Sequence, residues 1–200
     1  MGKLASTALA LGLVIAGTAV AADSAPARVR GTIDQVDGSV LHVTSRAGEK
    51  LTVTMPAGVK IAEISKIDIS AIKPNSYIGT AAAPLPDGEL KALEVHVFPE
   101  SMRGTGDGHR PFDLGPNSTM TNGTVGAVVG TSDRTITVTY NGGEKKVLVP
   151  ADVPIVTYEP GSVSDIKAGA HVIIFATKAA DGSLSADRIS VGKDGLTPPM

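Results

Sequence analysis

Along most of the chain, apolar and polar residues alternate with a period of two. Ile136, Val138 and Tyr140 alternate with Thr135, Thr137 and Thr139, the pattern of a half-buried strand. Asn141-Gly142-Gly143 follows, and Lys146-Val147-Leu148-Val149 returns. Asn and Gly tolerate the positive φ of a tight hairpin, so this is strand, turn, strand. Leu41 and Val43, the turn at Ala47-Gly48, then Leu51 and Val53 repeat the device. His42 falls between Leu41 and Val43, so it faces outward if they face inward.

The pattern occurs twice. GTIDQVDGSVLHVTSRAGEKLTVTMPAGVKI (Gly31 to Ile61) is matched by GTVGAVVGTSDRTITVTYNGGEKKVLVPADVPI (Gly123 to Ile155). Ser70-Ala71-Ile72-Lys73 matches Ser164-Asp165-Ile166-Lys167, and Asp87-Gly88 matches Asp181-Gly182. Two copies make a tandem pair rather than a solenoid. Each copy predicts one helical turn, at Ser70 to Asn75 and Ser164 to Gly169, with the serine as N-cap. An apolar strand follows, such as His171 to Ala176, and then an Asp-Gly turn into a last strand. In that last strand the phase slips in both copies. Leu90 and Ala92 are followed by Val95 and Val97, and Leu184 and Ala186 by Ile189 and Val191, which predicts a β-bulge at the same place twice.

Five or so short strands and one helical turn per copy predict an all-β protein. The first expectation is two similar small OB-like barrels in tandem, joined by a long irregular connector; the alternative is one β-sandwich built from both copies. The expected segments are 1–22 as signal peptide, 28–98 as the first repeat, 99–120 as connector, 121–193 as the second repeat and 194–200 as a tail.

The first residues change the picture. Lys3, an apolar run from Leu4 to about Ala16, and Ala19-Val20-Ala21-Ala22 before Asp23 have the layout of a secretory signal peptide, cleaved after Ala21 or Ala22. The expected location is the periplasm or the medium, with no membrane span once that segment is removed. The net charge is −2, and loss of Lys3 makes it one unit more acidic. That balance excludes the basic face a nucleic-acid partner needs. Cysteine and tryptophan are absent, so there is no disulfide staple, and the core falls to Val, Ile, Leu and Ala. With three Phe and three Tyr there is little from which to build a sugar-stacking platform.

The pattern G-T-[IV] … S-x-I-K … D-G-x-L-x-A, present twice, resembles a family of exported bacterial domains of unknown function. The connector and the tail GKDGLTPPM resemble a tandem subgroup of that family, sometimes labelled as metal-transporter components. The resemblance implies a fold and assigns no catalytic residue.

One stretch escapes both periods: FPESMRGTGDGHRPFDLGPNSTM, Phe98 to Met120. It reads as loop, yet it concentrates charge and aromatic residues. Arg103, Asp107, His109, Arg110, Phe112 and Asp113 are the candidate ligand- or partner-binding set, the arginines for an acidic group and Phe112 for an apolar one. His96, Glu100, Asp107 and His109 are candidate ligands for a divalent metal, although Asp107-x-His109 matches no established spacing. The competing readings are a packing loop pinned by ion pairs and a flexible spacer. No nucleophile elbow, zinc-peptidase motif or P-loop is present, which points away from an enzyme. The expected function is therefore a non-catalytic exported binding or adaptor protein, its partner an envelope protein or a small ligand. The alternatives are a metal-binding accessory protein and a purely structural envelope protein. No cofactor other than such a metal is implied.

Overall fold

The structure is a computed structural model, and it describes residues 25–129 and 134–200. Segment 1–22, expected from sequence to be a signal peptide, lies outside the described residues. The chain is all-β. In the first copy the strands are β1 (Ala25–Asp37), β2 (Val40–Ser45), β3 (Lys50–Thr54), β4 (Lys60–Lys66), β5 (Tyr77–Pro84) and β6 (Leu90–Val97). The connector holds β7 (Gly108–Pro111). The second copy holds β8 (Thr119–Val129), β9 (Thr135–Tyr140), β10 (Gly143–Leu148), β11 (Ile155–Pro160), β12 (His171–Lys178) and β13 (Leu184–Gly192). All thirteen belong to one hydrogen-bonded sheet.

Most of the local expectations hold. Leu41 and Val43 are fully buried, whereas His42 is half-exposed and reaches Asp37. The ladder slips between Ala81 and Ala82 opposite β6, and between Phe175 and Ala176 opposite β13, so a bulge does sit at equivalent places. The helical turns are 3-10 segments, Ile69–Ala71 and Val163–Asp165. Their caps are Asp68 and Ser162, two residues before the serines expected from sequence. Asp68 accepts from the Ser70 amide, and Ser162 forms a capping box with Asp165.

The pairing between copies is what the pattern does not announce. β1 pairs with β2 and β12, β2 with β3, β3 with β13, and β13 with β12. That is a closed ring of three strands from the first copy and two from the second. The other ring is β8, β9 and β10 closed by β6 and β5. Each copy thus donates its last two strands to the other copy's first three, and the segments 28–98 and 121–193 do not coincide with the rings. Closure rests on short parallel ladders at equivalent positions, Val53 with Leu184 and Val147 with Leu90. It removes edges that would otherwise be open to pairing.

Each ring has its own aliphatic core. Ile33, Leu41, Val43, Ile174 and Ile189 fill the first, and Ile78, Val95, Ile136, Val138 and Val147 the second. Full burial of each such side chain stabilises by about 1.5–3 kcal/mol. Between the rings, β4 and β11 pair antiparallel, with Ile64 opposite Tyr158. β4 also runs parallel to β13, and β11 to β6. Ile64 and Tyr158 are repeat equivalents, 94 positions apart like Ser70 and Ser164, so the molecule's approximate two-fold passes between them.

A third apolar cluster lies at this junction, with Ile64, Ala81, Met120, Val156, Ile173 and Met200 buried. The stretch expected to be irregular is ordered around it. Residues Glu100–Met102 form a 3-10 turn, and β7 pairs along β8 from Gly108 opposite Asn122 to Pro111 opposite Thr119. The tail follows β13 as the connector follows β6. Arg30 Nε donates to the Met200 carbonyl at 2.8 Å and Arg46 donates to the Pro198 carbonyl, which holds the tail against the first ring.

Candidate functional site at the junction of the rings

A cavity of about 150 Å³ opens at this junction, between one wall from each ring. The wall of the second ring is β8, β5 and β6. Across it the ladder places Asn122, Gly79 and His96 in one row, and Met120, Ala81 and Glu94 in the next. The wall of the first ring is β1, β12 and β13. Its equivalent rows are Arg30, Ile173 and Ser190, then Arg28, Phe175 and Arg188. The connector covers one side with Met102, Thr105, Gly106, Arg110 and Phe112, and the tail supplies Met200.

Glu94 and His96 are the unusual pair. Two apart on β6, they share a face. Glu94 is wholly buried and His96 is 2% exposed. His96 Nδ1 lies 3.0 Å from Glu94 Oε2, and Glu94 Oε1 accepts the Ala81 amide at 2.9 Å. These contacts fix the ring, and they make Nδ1–H the donor to the carboxylate whenever the imidazole carries one proton. Nε2 then faces the Gly79 backbone. A Cβ built on Gly79 would stand 2.1 Å from Nε2 and 2.7 Å from Asn122 Oδ1, so glycine is needed for His96 to lie here. Both polar atoms sit near one point. Among the described residues the buried Asn122 Oδ1 has no hydrogen-bond partner, although Asn122 Nδ2 donates to the Thr105 carbonyl at 2.9 Å. Buried polar atoms without partners are uncommon, and each calls for an explanation.

Aromatic residues surround this corner. The rings of His96 and Phe98 meet edge to face at 4.7 Å, Phe98 stacks on Tyr158 at 5.6 Å, and Tyr77 packs on Phe98 at 5.4 Å. Burial pushes the Tyr77 phenol up to about 12, with the Asp107 carboxylate adding to it. Burial likewise raises the Tyr158 phenol. On the opposite wall the Arg188 guanidinium lies 3.9 Å over the Phe175 ring, and Arg28 approaches both Phe112 and Phe175. A chain with few aromatics thus gathers most of them in one place.

The connector residues divide. Arg110 and Phe112 line the cavity. Arg110 Nη1 donates to the Gly106 carbonyl at 2.7 Å. Asp113 bridges Arg28 and Arg30, each at 2.8 Å, and the Arg30 hydrogen bond holds its carboxyl below the usual range. Arg103 is occupied by Glu100 and the Asn75 carbonyl. Asp107 accepts the Asn141 amide and the Tyr77 hydroxyl, pinning the connector to a hairpin tip of the second ring. His109 meets Thr121 at 2.8 Å and stacks on Tyr140, and burial lowers its pKa. Arg103, Asp107, His109 and Asp113 thus serve to fasten the loop.

The four metal candidates are not brought together. His96 enters the cavity wall, while Glu100, Asp107 and His109 are engaged elsewhere. Among the described residues no three His, Asp or Glu side chains converge on one point. No described helix is long and apolar enough to cross a membrane, which says nothing of strands. Sequence reasoning missed Glu94, Asn122, Met120 and Gly79. The available signal was the repeat itself: at equivalent positions Glu94 faces Arg188 in the alignment, His96 faces Ser190, and Gly79 faces Ile173. Compared with models of known families, with curated proteins and with solved structures, the chain matches none.

Proposed function

We propose that the protein is an exported, non-catalytic binding protein, built from two small OB-like barrels that exchange strands, and that its ligand enters the cavity between them. One observation carries this reading. A buried amide oxygen, Asn122 Oδ1, without a partner among the described residues, lies at the wall of a mostly apolar cavity beside an imidazole that a buried carboxylate orients. Such a cluster is costly to fold around unless something meets it. The N-terminal segment supports export. The absence of any nucleophile or acid–base motif in the sequence supports binding rather than turnover.

Imidazole-resolved NMR of the purified protein against a panel of small aromatic acids, amines and metal ions tests the reading. A ligand should move the His96 ring resonances and leave those of His42 and His171 in place. At a hundred times its Kd it should also stabilise the fold by about 2.7 kcal/mol. If no member of a broad panel moves His96, the junction is packing alone and the structural-envelope reading replaces this one.

A further inference from the structure

The charge around the junction cavity is one-sided. Arg28, Arg110 and Arg188 line it, and no Asp or Glu does. Asp113 pairs with Arg28. Among the described residues, neither Arg110 nor Arg188 has a carboxylate within ion-pair reach. Arg110 has only the Gly106 carbonyl, and Arg188 sits over the Phe175 ring. Burial holds the Arg28 guanidinium below its usual pKa, and repulsion from Arg30 and Arg188 adds to this against the pull of Asp113. The cations therefore act on one another across the mouth. Glu94 does not offset them from the lining, because His96 Nδ1 and the Ala81 amide engage its oxygens. The three arginines are exposed, whereas Phe98, Met120 and Ile173 are buried, so charge rims the mouth and the floor is apolar.

Resting on the binding reading above, we infer that the junction takes a small aromatic monocarboxylate of the hydroxybenzoate class, with its ring on the apolar floor, its carboxylate at the arginine rim and its hydroxyl toward Asn122 Oδ1. Size selects the ring. The cavity measures about 150 Å³, and an apolar cavity of about that volume holds one benzene. The floor offers ring faces in Phe98 and Tyr158, and the unbranched thioether of Met120 adapts to what lies against it. Charge selects the carboxylate. A planar guanidinium fork matches a planar carboxylate, and Arg28 and Arg188, both seated against Phe175, are held in place before a ligand arrives. The hydroxyl follows from Asn122, whose buried Oδ1 can only accept and has no donor among the described residues. A cation or an amine would leave the rim arginines uncompensated and that acceptor's neighbours more crowded with positive charge.

The test is titration of the purified protein with the three isomers of hydroxybenzoate, read by calorimetry and by NMR of the histidine rings. The expected result is one equivalent of at least one isomer bound, with the His96 ring moving and those of His42 and His171 in place. The neutral amide of that isomer should bind at least about tenfold more weakly, because it forfeits the charge-assisted hydrogen bonds. Benzoate, which has no hydroxyl for Asn122, should also bind more weakly. The double variant Arg110→Gln, Arg188→Gln should lose at least about tenfold in affinity for the acid, while its urea midpoint moves little because both side chains are exposed. The inference is overturned if no isomer moves His96, if the amide or benzoate binds as tightly as the hydroxylated acid, or if the double variant binds it as tightly as wild type. Should the acids fail while another small molecule moves His96, the acid assignment falls and the binding reading stands. If nothing moves it, both fall.

Discussion

The wall of β8, β5 and β6 and the wall of β1, β12 and β13 occupy equivalent positions of one repeat, share one hydrogen-bond register and face one cavity. Their chemistry differs at every row. One presents Asn122, Gly79 and His96 above Met120, Ala81 and Glu94; the other presents Arg30, Ile173 and Ser190 above Arg28, Phe175 and Arg188. The aliphatic cores of the two rings diverge far less, since both are filled by Ile, Val, Leu and Ala, with Met55 of the first ring the one departure among the buried residues of the two clusters. The backbone needs the same packing in both copies, so the cores stay alike. A site built across an approximate two-fold needs different groups on its two sides, so the walls part. The exchange of strands brings this about, because each wall takes two strands from one copy and one from the other, and the rings then abut along β4 and β11.

The comparison breaks most visibly at His96. His96→Leu strands the Glu94 carboxylate without its partner inside the fold, and loss of one member of a buried pair costs about 3–5 kcal/mol. Ser190→Ala, at the equivalent position, breaks no such pair and should cost about 1 kcal/mol, the usual size of a single substitution. Urea unfolding of both variants checks the contrast. Equal losses would mean that Glu94 and His96 are no more coupled than an ordinary wall pair.

Gly79 sharpens it next. Gly79→Ile copies the residue found at Ile173, but its Cβ would overlap the His96 ring, with Cε1 at 2.5 Å. Overpacking of this kind costs about 1–3 kcal/mol. In a His96→Ser background the nearer obstacle is gone and only Asn122 Oδ1, at 2.7 Å, remains, so the same change should cost less, giving a coupling of about 0.5–3 kcal/mol in the double-mutant cycle. Additivity of the two changes would show that glycine is there for another reason. On the opposite wall Arg188→Ala removes a guanidinium seated on Phe175. At an exposed site that is worth about 0.5–1 kcal/mol, and it reads as a small shift in urea midpoint.

Much of the fold was legible because its signals are local. Alternation, Gly turns, the two bulges and the outward His42 each depend on neighbours in sequence. The exchange of strands was not legible, and the repeat is the reason. Leu90 and Leu184 are equivalents, so β3 finds the same partner residues whether its own copy's last strand or the other's closes the ring. Loop length and packing at β4 and β11 decide between the two, and neither leaves a period in the sequence. The site was half legible. His96 stood out as a rare residue, but it was read with the connector's acids, when its partner was Glu94 two residues back on the same face. Phe98 to Met120 attracted attention for its charge. Most of that charge fastens the loop, and the loop's contribution to the cavity is Met102, Arg110 and Phe112.

The smallest effect concerns that fastening. Asp113 bridges Arg28 and Arg30, where the first wall meets the connector, and among the described residues no carboxylate bridges two arginines on the second wall. The Arg30 hydrogen bond lowers the Asp113 pKa below its usual 3.8, so the folded state holds the proton less tightly than the unfolded one. The stabilisation is therefore fully present above the ordinary carboxylate pKa and is lost as pH falls below 4 through the folded value. The Asp113 side chain is 56% exposed, so solvent screens the pair and its worth stays under about 1 kcal/mol. Asp113→Asn should lower stability by that amount at pH 7, by progressively less as the pH falls through the lowered folded value, and by less in high salt. Amide exchange should report the same loss as faster opening of residues 112–118, with the cores of both rings unaffected. A loss that persists undiminished into strong acid would mean that Asp113 holds the connector by shape and hydrogen bonding, and that the two walls differ less in electrostatics than their residues suggest.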